Sequence, residues 1–145
     1  MIARRPAGRL APVLVLLAIA GLLIAGYLLA VRLAGELPAC PISGGCETVQ
    51  SSEYSAIAGV PVAGVGVAYS IVLVVATVGW WRLGDRRALY VAYGLGLLGT
   101  LMVGYLTYLE LFVIRAVCTW CVAYGLTVVL GWLGAIASLR SAPAN

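Results

Sequence analysis

Leu10 to Val31 runs 22 residues without a charged side chain. As a helix that length crosses the roughly 30 Å hydrocarbon core of a bilayer. Three more uncharged stretches follow, Pro61 to Trp81, Ala88 to Leu109 and Ala116 to Leu139. In lipid every backbone N–H and C=O must be paired within the protein, so each stretch is predicted to be a helix. The chain is 63% hydrophobic and 10% charged, against about 25% charged in soluble domains. The expected fold is therefore an all-α integral membrane protein, a four-transmembrane-helix bundle forming one domain over 1–145, with no separate soluble domain. A cleaved signal peptide fits the first stretch poorly, because the run is too long for an h-region and Arg32 follows it.

The charges orient the bundle. All nine basic residues are arginine. With four spans and both termini cytoplasmic, Arg4, Arg5, Arg9, Arg82, Arg86, Arg87 and Arg140 lie inside, and Arg32 and Arg115 outside. The expected location is a cytoplasmic membrane, crossed several times, with lipid and no nucleic acid as partner. All four cysteines, Cys40, Cys46, Cys118 and Cys121, then fall at the extracytoplasmic face, where disulfides persist.

Cys118-Thr119-Trp120-Cys121 opens the last span, and residues three apart share a helix face. A thiol in a first helical turn gains from unpaired N–H groups and the helix dipole, which favour its thiolate. In the first outer loop, Cys40-Pro41-Ile42-Ser43-Gly44-Gly45-Cys46 contains turn formers able to bring its sulfurs together. A loop that short gains only about 2 kcal/mol from a bridge. Its glycines are expected to leave Cys46 approachable and mobile. Static disulfides and a four-cysteine zinc site are the competing readings. The first would give a strained, ineffective staple at the CxxC, and the second has a loop spacing too wide for a usual half-site. Thiol–disulfide exchange accounts for the CxxC, the glycine-rich loop and the topology together.

Electrons collected by exchange need an acceptor. The chain has no histidine and no Rossmann or iron–sulfur pattern. By elimination a membrane quinone, ubiquinone or menaquinone, in an apolar pocket near the outer rim is expected. Ser51 to Gly59 reads as a short helix over the bundle mouth, with Ser51 or Ser52 as N-cap, Gly59 as its stop, and Pro61 entering the next helix. The turn between spans three and four is placed between Glu110 and Arg115 or just after, where those two side chains could pair. Ala88, Ala92, Gly96, Thr100 and Gly104 form a small-residue ridge for close helix packing. Trp80, Trp81, Trp132, Tyr27 and Tyr90 read as interfacial anchors or packing groups.

Four spans, Cys-x5-Cys in the first outer loop, Ser51-Ser52-Glu53-Tyr54, Ala58-Gly59-Val60-Pro61 and the terminal CxxC together resemble the bacterial members of the vitamin K epoxide reductase family. The resemblance covers nearly the whole chain. It implies an enzyme, a quinone-dependent thiol–disulfide oxidoreductase that generates disulfides in a separate, DsbA-like thioredoxin-fold protein. It implies that Cys46 exchanges with that partner and that Cys40 attacks Cys118 of a Cys118–Cys121 disulfide. Cys121 would pass electrons to the quinone, with Ser52 hydrogen-bonding nearby. A quinone or epoxide reductase using thiols only as reductant is the related alternative. Mammalian relatives carry a tyrosine seven residues beyond the first cysteine of the CxxC. Here that position is Gly125, and Tyr124 precedes it.

Overall fold

The computed structural model describes residues 8–40 and 44–141. Four long helices cover the expected spans: α1 (Ala11–Leu33), α3 (Val62–Leu83), α4 (Arg86–Tyr108) and α5 (Thr119–Ser141). All four are long and apolar enough to cross a membrane. Their packing follows a ring, α1 on α3, α3 on α4, α4 on α5 and α5 back on α1. This is the up-down-up-down arrangement that short connections favour.

The ends of the helices follow from local chemistry. A proline in the first turn starts α1, where its missing N–H costs nothing. Gly84, at φ 65°, ends α3 in the left-handed region and returns its N–H to the Trp80 carbonyl. Asp85 then caps α4 by accepting from Arg87 N at 2.9 Å. At its other end α4 continues into a π-helical turn, Leu109–Ile114, which Arg115 stops at φ 58°. The break before α5 thus falls inside the expected interval. Pro41, expected to turn the first loop, and Arg4 and Arg5 lie outside the described residues.

The short element over the mouth differs from expectation. The helix there is α2 (Cys46–Ser51), followed by a 3-10 turn at Glu53–Ser55. Ser51 and Ser52 lie at its end and cap no helix start. Their hydroxyls donate back to the Glu47 and Val49 carbonyls, each at 2.7 Å. Ala58 and Gly59 do not stop a helix; they turn a two-stranded hairpin, β1 (Ala56–Ile57) on β2 (Val60–Pro61). Both have positive φ, 52° and 84°, as a two-residue hairpin turn requires. Pro61 is accordingly the last strand residue, immediately before α3.

At the end of the bundle away from the cysteines, Ala11, Leu14, Trp80, Leu89 and Ala135 form a closed core. Trp80 is therefore a packing group, whereas Trp81 is exposed. The small-residue ridge acts over part of its length. Gly96 lies against Trp132, where a Cβ would come within 2.9 Å of that side chain, whereas Gly104 faces open space. Gly99, outside the expected ridge, takes the close approach of Tyr69. Gly96→Val should therefore destabilise the bundle by about 1–3 kcal/mol through overpacking. Gly104→Ala should leave stability nearly unchanged. Thermal unfolding of both variants in detergent checks the contrast.

Candidate active site

The four cysteines converge at the end of the bundle where α1 and α4 finish and α3 and α5 begin. Cys40 and Cys46 form a disulfide with Cα atoms 5.5 Å apart, and Cys118 and Cys121 are free thiols. Cys46, Val49 and Cys118 form one buried cluster, with Cys40, Trp120 and Cys121 packed against it. The cause of this convergence is a backbone contact. Gly45 lies so close to Val117 that any Cβ would overlap the Val117 carbonyl. Gly45 and the turn at Gly44 therefore have the opposite effect to that expected, Gly45 through this contact and Gly44 through its positive φ of 65°. They seat Cys46 with 0% exposure, while Cys40 stays half-buried.

Further bonds hold the loop. Trp120, inside the CxxC, donates from Nε1 to the Ala39 carbonyl at 2.8 Å and packs its ring on Tyr27 with centroids 5.0 Å apart. Cys40 Sγ and the Thr119 hydroxyl are hydrogen-bonded at 3.3 Å; with Cys40 in a disulfide, the hydroxyl is the donor. Arg32, at the end of α1, donates to the Gln50 carbonyl at 3.2 Å and to Ser55 Oγ at 2.8 Å. Tyr27 and Trp120 thus belong to the site, a role that spacing alone could not give them.

Cys118 occupies the N-cap position of α5. Its carbonyl accepts from Val122 N at 3.0 Å, and its sulfur accepts from Cys121 N at 3.3 Å. A sulfur so placed satisfies a donor at the positive end of the helix dipole. The Cys118 thiol is lowered to about 7, chiefly because the Cys121 thiol hydrogen-bonds to it. The Cys121 N–H and the Gln50 amide reinforce this, while burial and Glu110 oppose it. Such a thiol is substantially thiolate at neutral pH, the form that attacks disulfides.

Two residues that sequence reading passed over complete the centre. Gln50 donates from Nε2 to Cys121 Sγ at 3.4 Å and reaches Cys118 Sγ at 4.0 Å. Its sequence signal was its place one helical turn after Cys46. Glu110 was expected to pair with Arg115 near the mouth. Instead it is buried, at 6% exposure, and Oε2 accepts from Cys118 N at 3.3 Å, while Arg115 is exposed. The widened π-helical turn carries position 110 inward, an irregularity that apolar periodicity does not announce.

Beside this cluster, between the helices, lies a cavity of about 390 Å³, within the range of small-molecule sites. Among the described residues Cys121 is the only cysteine lining it, with Gln50, Ser52, Tyr54 and Glu110 among its polar lining groups. Tyr124 also lines it, but its hydroxyl is engaged with Ser70 Oγ at 3.1 Å and the Gly66 carbonyl at 3.2 Å. With Cys40 and Cys46 joined, half the sulfurs of a four-cysteine metal site are committed. Among the described residues no group of three or more metal-binding side chains converges.

Four apolar spanning helices around a disulfide, a free CxxC and an adjoining cavity define a multi-pass membrane protein built for thiol–disulfide chemistry. Residues 12–136 match the Vitamin K epoxide reductase family, and the chain belongs to it. Members of that family are oxidoreductases. No curated protein matches the chain.

Ultraviolet thiolate absorbance of protein with the loop disulfide intact should titrate with a midpoint of about 7, assigned to Cys118. Cys121→Ala removes the main stabilising hydrogen bond and should move that midpoint upward. A midpoint unchanged by the substitution would contradict the assigned cause.

Proposed function

We propose that this chain oxidises the thiols of a separate extracytoplasmic thioredoxin-fold protein and delivers the electrons to a membrane quinone. The observation that carries the reading is Cys121, which belongs to the cysteine cluster and also lines the apolar cavity. Exchange and electron delivery can then share one sulfur. The arginine asymmetry supports cytoplasmic termini and an outward-facing cysteine end, in the cytoplasmic membrane of a bacterium.

The cavity fits a quinone ring in size and in its mostly apolar lining, with Ser52, Gln50, Tyr54 and Cys121 placed to hold it. A bound quinone supplies an acceptor for two electrons and two protons. On the donor side, exposure favours Cys40 as the point of attack, in place of the entry at Cys46 that the family resemblance implies. A partner thiolate attacking Cys40 breaks the Cys40–Cys46 bond and releases Cys46 as a thiolate. The partner's second thiol then resolves the mixed disulfide, leaving the partner oxidised and the loop a dithiol. Cys46, packed in the Cys118 cluster, next attacks an oxidised Cys118–Cys121 pair, and Cys40 resolves that bond. The loop disulfide is restored and the CxxC is left as two thiols, the redox state seen in this structure.

Quinone absorbance, followed with ubiquinone or menaquinone and a reduced thioredoxin-fold donor, tests the reading. Turnover is expected with the unaltered protein and none above background with Cys118→Ala or Cys121→Ala. Turnover retained in Cys118→Ala, or no reduction of either quinone by folded protein, overturns the proposal. For the entry point, a reduced partner lacking its second thiol should attack the intact Cys40–Cys46 bond and accumulate as a mixed disulfide on Cys40, with Cys46 released. A mixed disulfide mapped chiefly to Cys46 in that trapped complex would reverse the order.

A further inference from the structure

We infer that Glu110 carries the proton between the Cys121 thiol and the reduced acceptor, as a catalytic acid–base at the cavity wall. The inference rests on the quinone reading above and extends it to a residue the thiol relay does not use. Among the described residues Glu110 is the only carboxyl lining the cavity, and its buried side chain accepts from Cys118 N at 3.3 Å while facing the Cys121 thiol. It therefore touches both members of the reacting pair. The chain has no histidine to do this work. The tyrosine hydroxyls deepest in the cavity are committed elsewhere, Tyr69 to the Leu95 carbonyl at 2.7 Å and Tyr124 to Ser70 and Gly66.

Proton balance requires such a carrier. With Cys118 as thiolate, the reduced pair holds one proton, on Cys121. Electron delivery breaks the Cys121 S–H bond and forms the Cys118–Cys121 bond. Two electrons pass to the quinone, whose two oxygens take up two protons. One is the Cys121 proton, which Glu110 accepts and passes on to a bound quinone; oxidation without quinone leaves that proton on Glu110. The other comes from water. Proton transfer by a positioned side chain typically contributes 10²–10⁴-fold. The titratable groups around the carboxyl are Cys118 and Cys121 from the start of α5, and Tyr54, Tyr69 and Tyr124 around the cavity. Arg115, on its own segment, is exposed.

Two readouts test this. Infrared difference spectra between dithiothreitol-reduced and diamide-oxidised protein, without quinone, should contain a protonated-carboxyl band that Glu110→Gln abolishes. The glutamine keeps an acceptor for Cys118 N, so the cap of α5 is retained. In the same variant quinone reduction should fall about 100-fold, with Glu110→Asp recovering part of the loss. No carboxyl band in the unaltered protein overturns the inference without reference to any variant, and so does turnover at the original rate in Glu110→Gln. A band lost in Glu110→Gln, from a protein that reduces neither quinone, would uphold the proton carrier and sink the quinone reading alone.

Discussion

The close approach of the Gly45 backbone to Val117 is the contact on which the site depends. It brings a loop from the first half of the chain against the segment that opens α5, and so makes one cluster of two cysteine pairs more than 70 residues apart in sequence. The loop disulfide is a minor part of what holds this together, since so short a ring contributes about 2 kcal/mol. Burial of Cys46 and Val49, the Trp120 bond to Ala39 and the Arg32 bonds to Gln50 and Ser55 do the rest. Each such hydrogen bond is worth about 1 kcal/mol net. Breaking the disulfide therefore does not by itself free the loop, which suits a bond that must be made and broken repeatedly in place.

The two halves of the bundle are packed for different ends. Away from the cysteines, Ala11, Leu14, Leu89 and Ala135 close the core around Trp80. Toward the cysteines the helices leave space, and the polar groups beside that space are mostly bonded within the protein. Ser70, Tyr124 and the Gly66 carbonyl satisfy one another, and Tyr69 spends its hydroxyl on Leu95. In a medium without water an unpaired hydroxyl would be costly. The pairing leaves a cavity whose lining is mostly apolar, beside Cys121.

The helices were legible because lipid imposes one rule on every uncharged run of about 20 residues. The CxxC at the start of the last span and the paired loop cysteines were legible from spacing and turn chemistry. What escaped the sequence depends on backbone detours without a periodic signature. Ser51 and Ser52 resemble an N-cap, yet α2 begins earlier, at Cys46, and the hairpin at Ala58-Gly59 takes the residues expected to finish a helix. The glycines beside Cys46 were equally compatible with mobility or with close packing. Only the distant Val117 backbone decides between them. Gln50 and Glu110 carry no motif and matter solely through where tertiary structure aims them.

The π-helical turn at Leu109–Ile114 shows why such a detour is retained. A widened turn gives up regular hydrogen bonding at the end of a membrane helix, where unpaired groups are expensive. Part of that loss is offset locally, because Ala116 N returns to the Glu110 carbonyl at 3.0 Å. What the turn achieves is the placement of one carboxyl inside the bundle, against the N-terminus of α5, where it accepts from Cys118 N at 3.3 Å. The same N-terminus donates to the Cys118 sulfur, from Cys121 N at 3.3 Å, so thiolate and carboxyl are held at one helix end. One helix end therefore brings the attacking sulfur and the acid–base group together, beside the cavity that Cys121 lines.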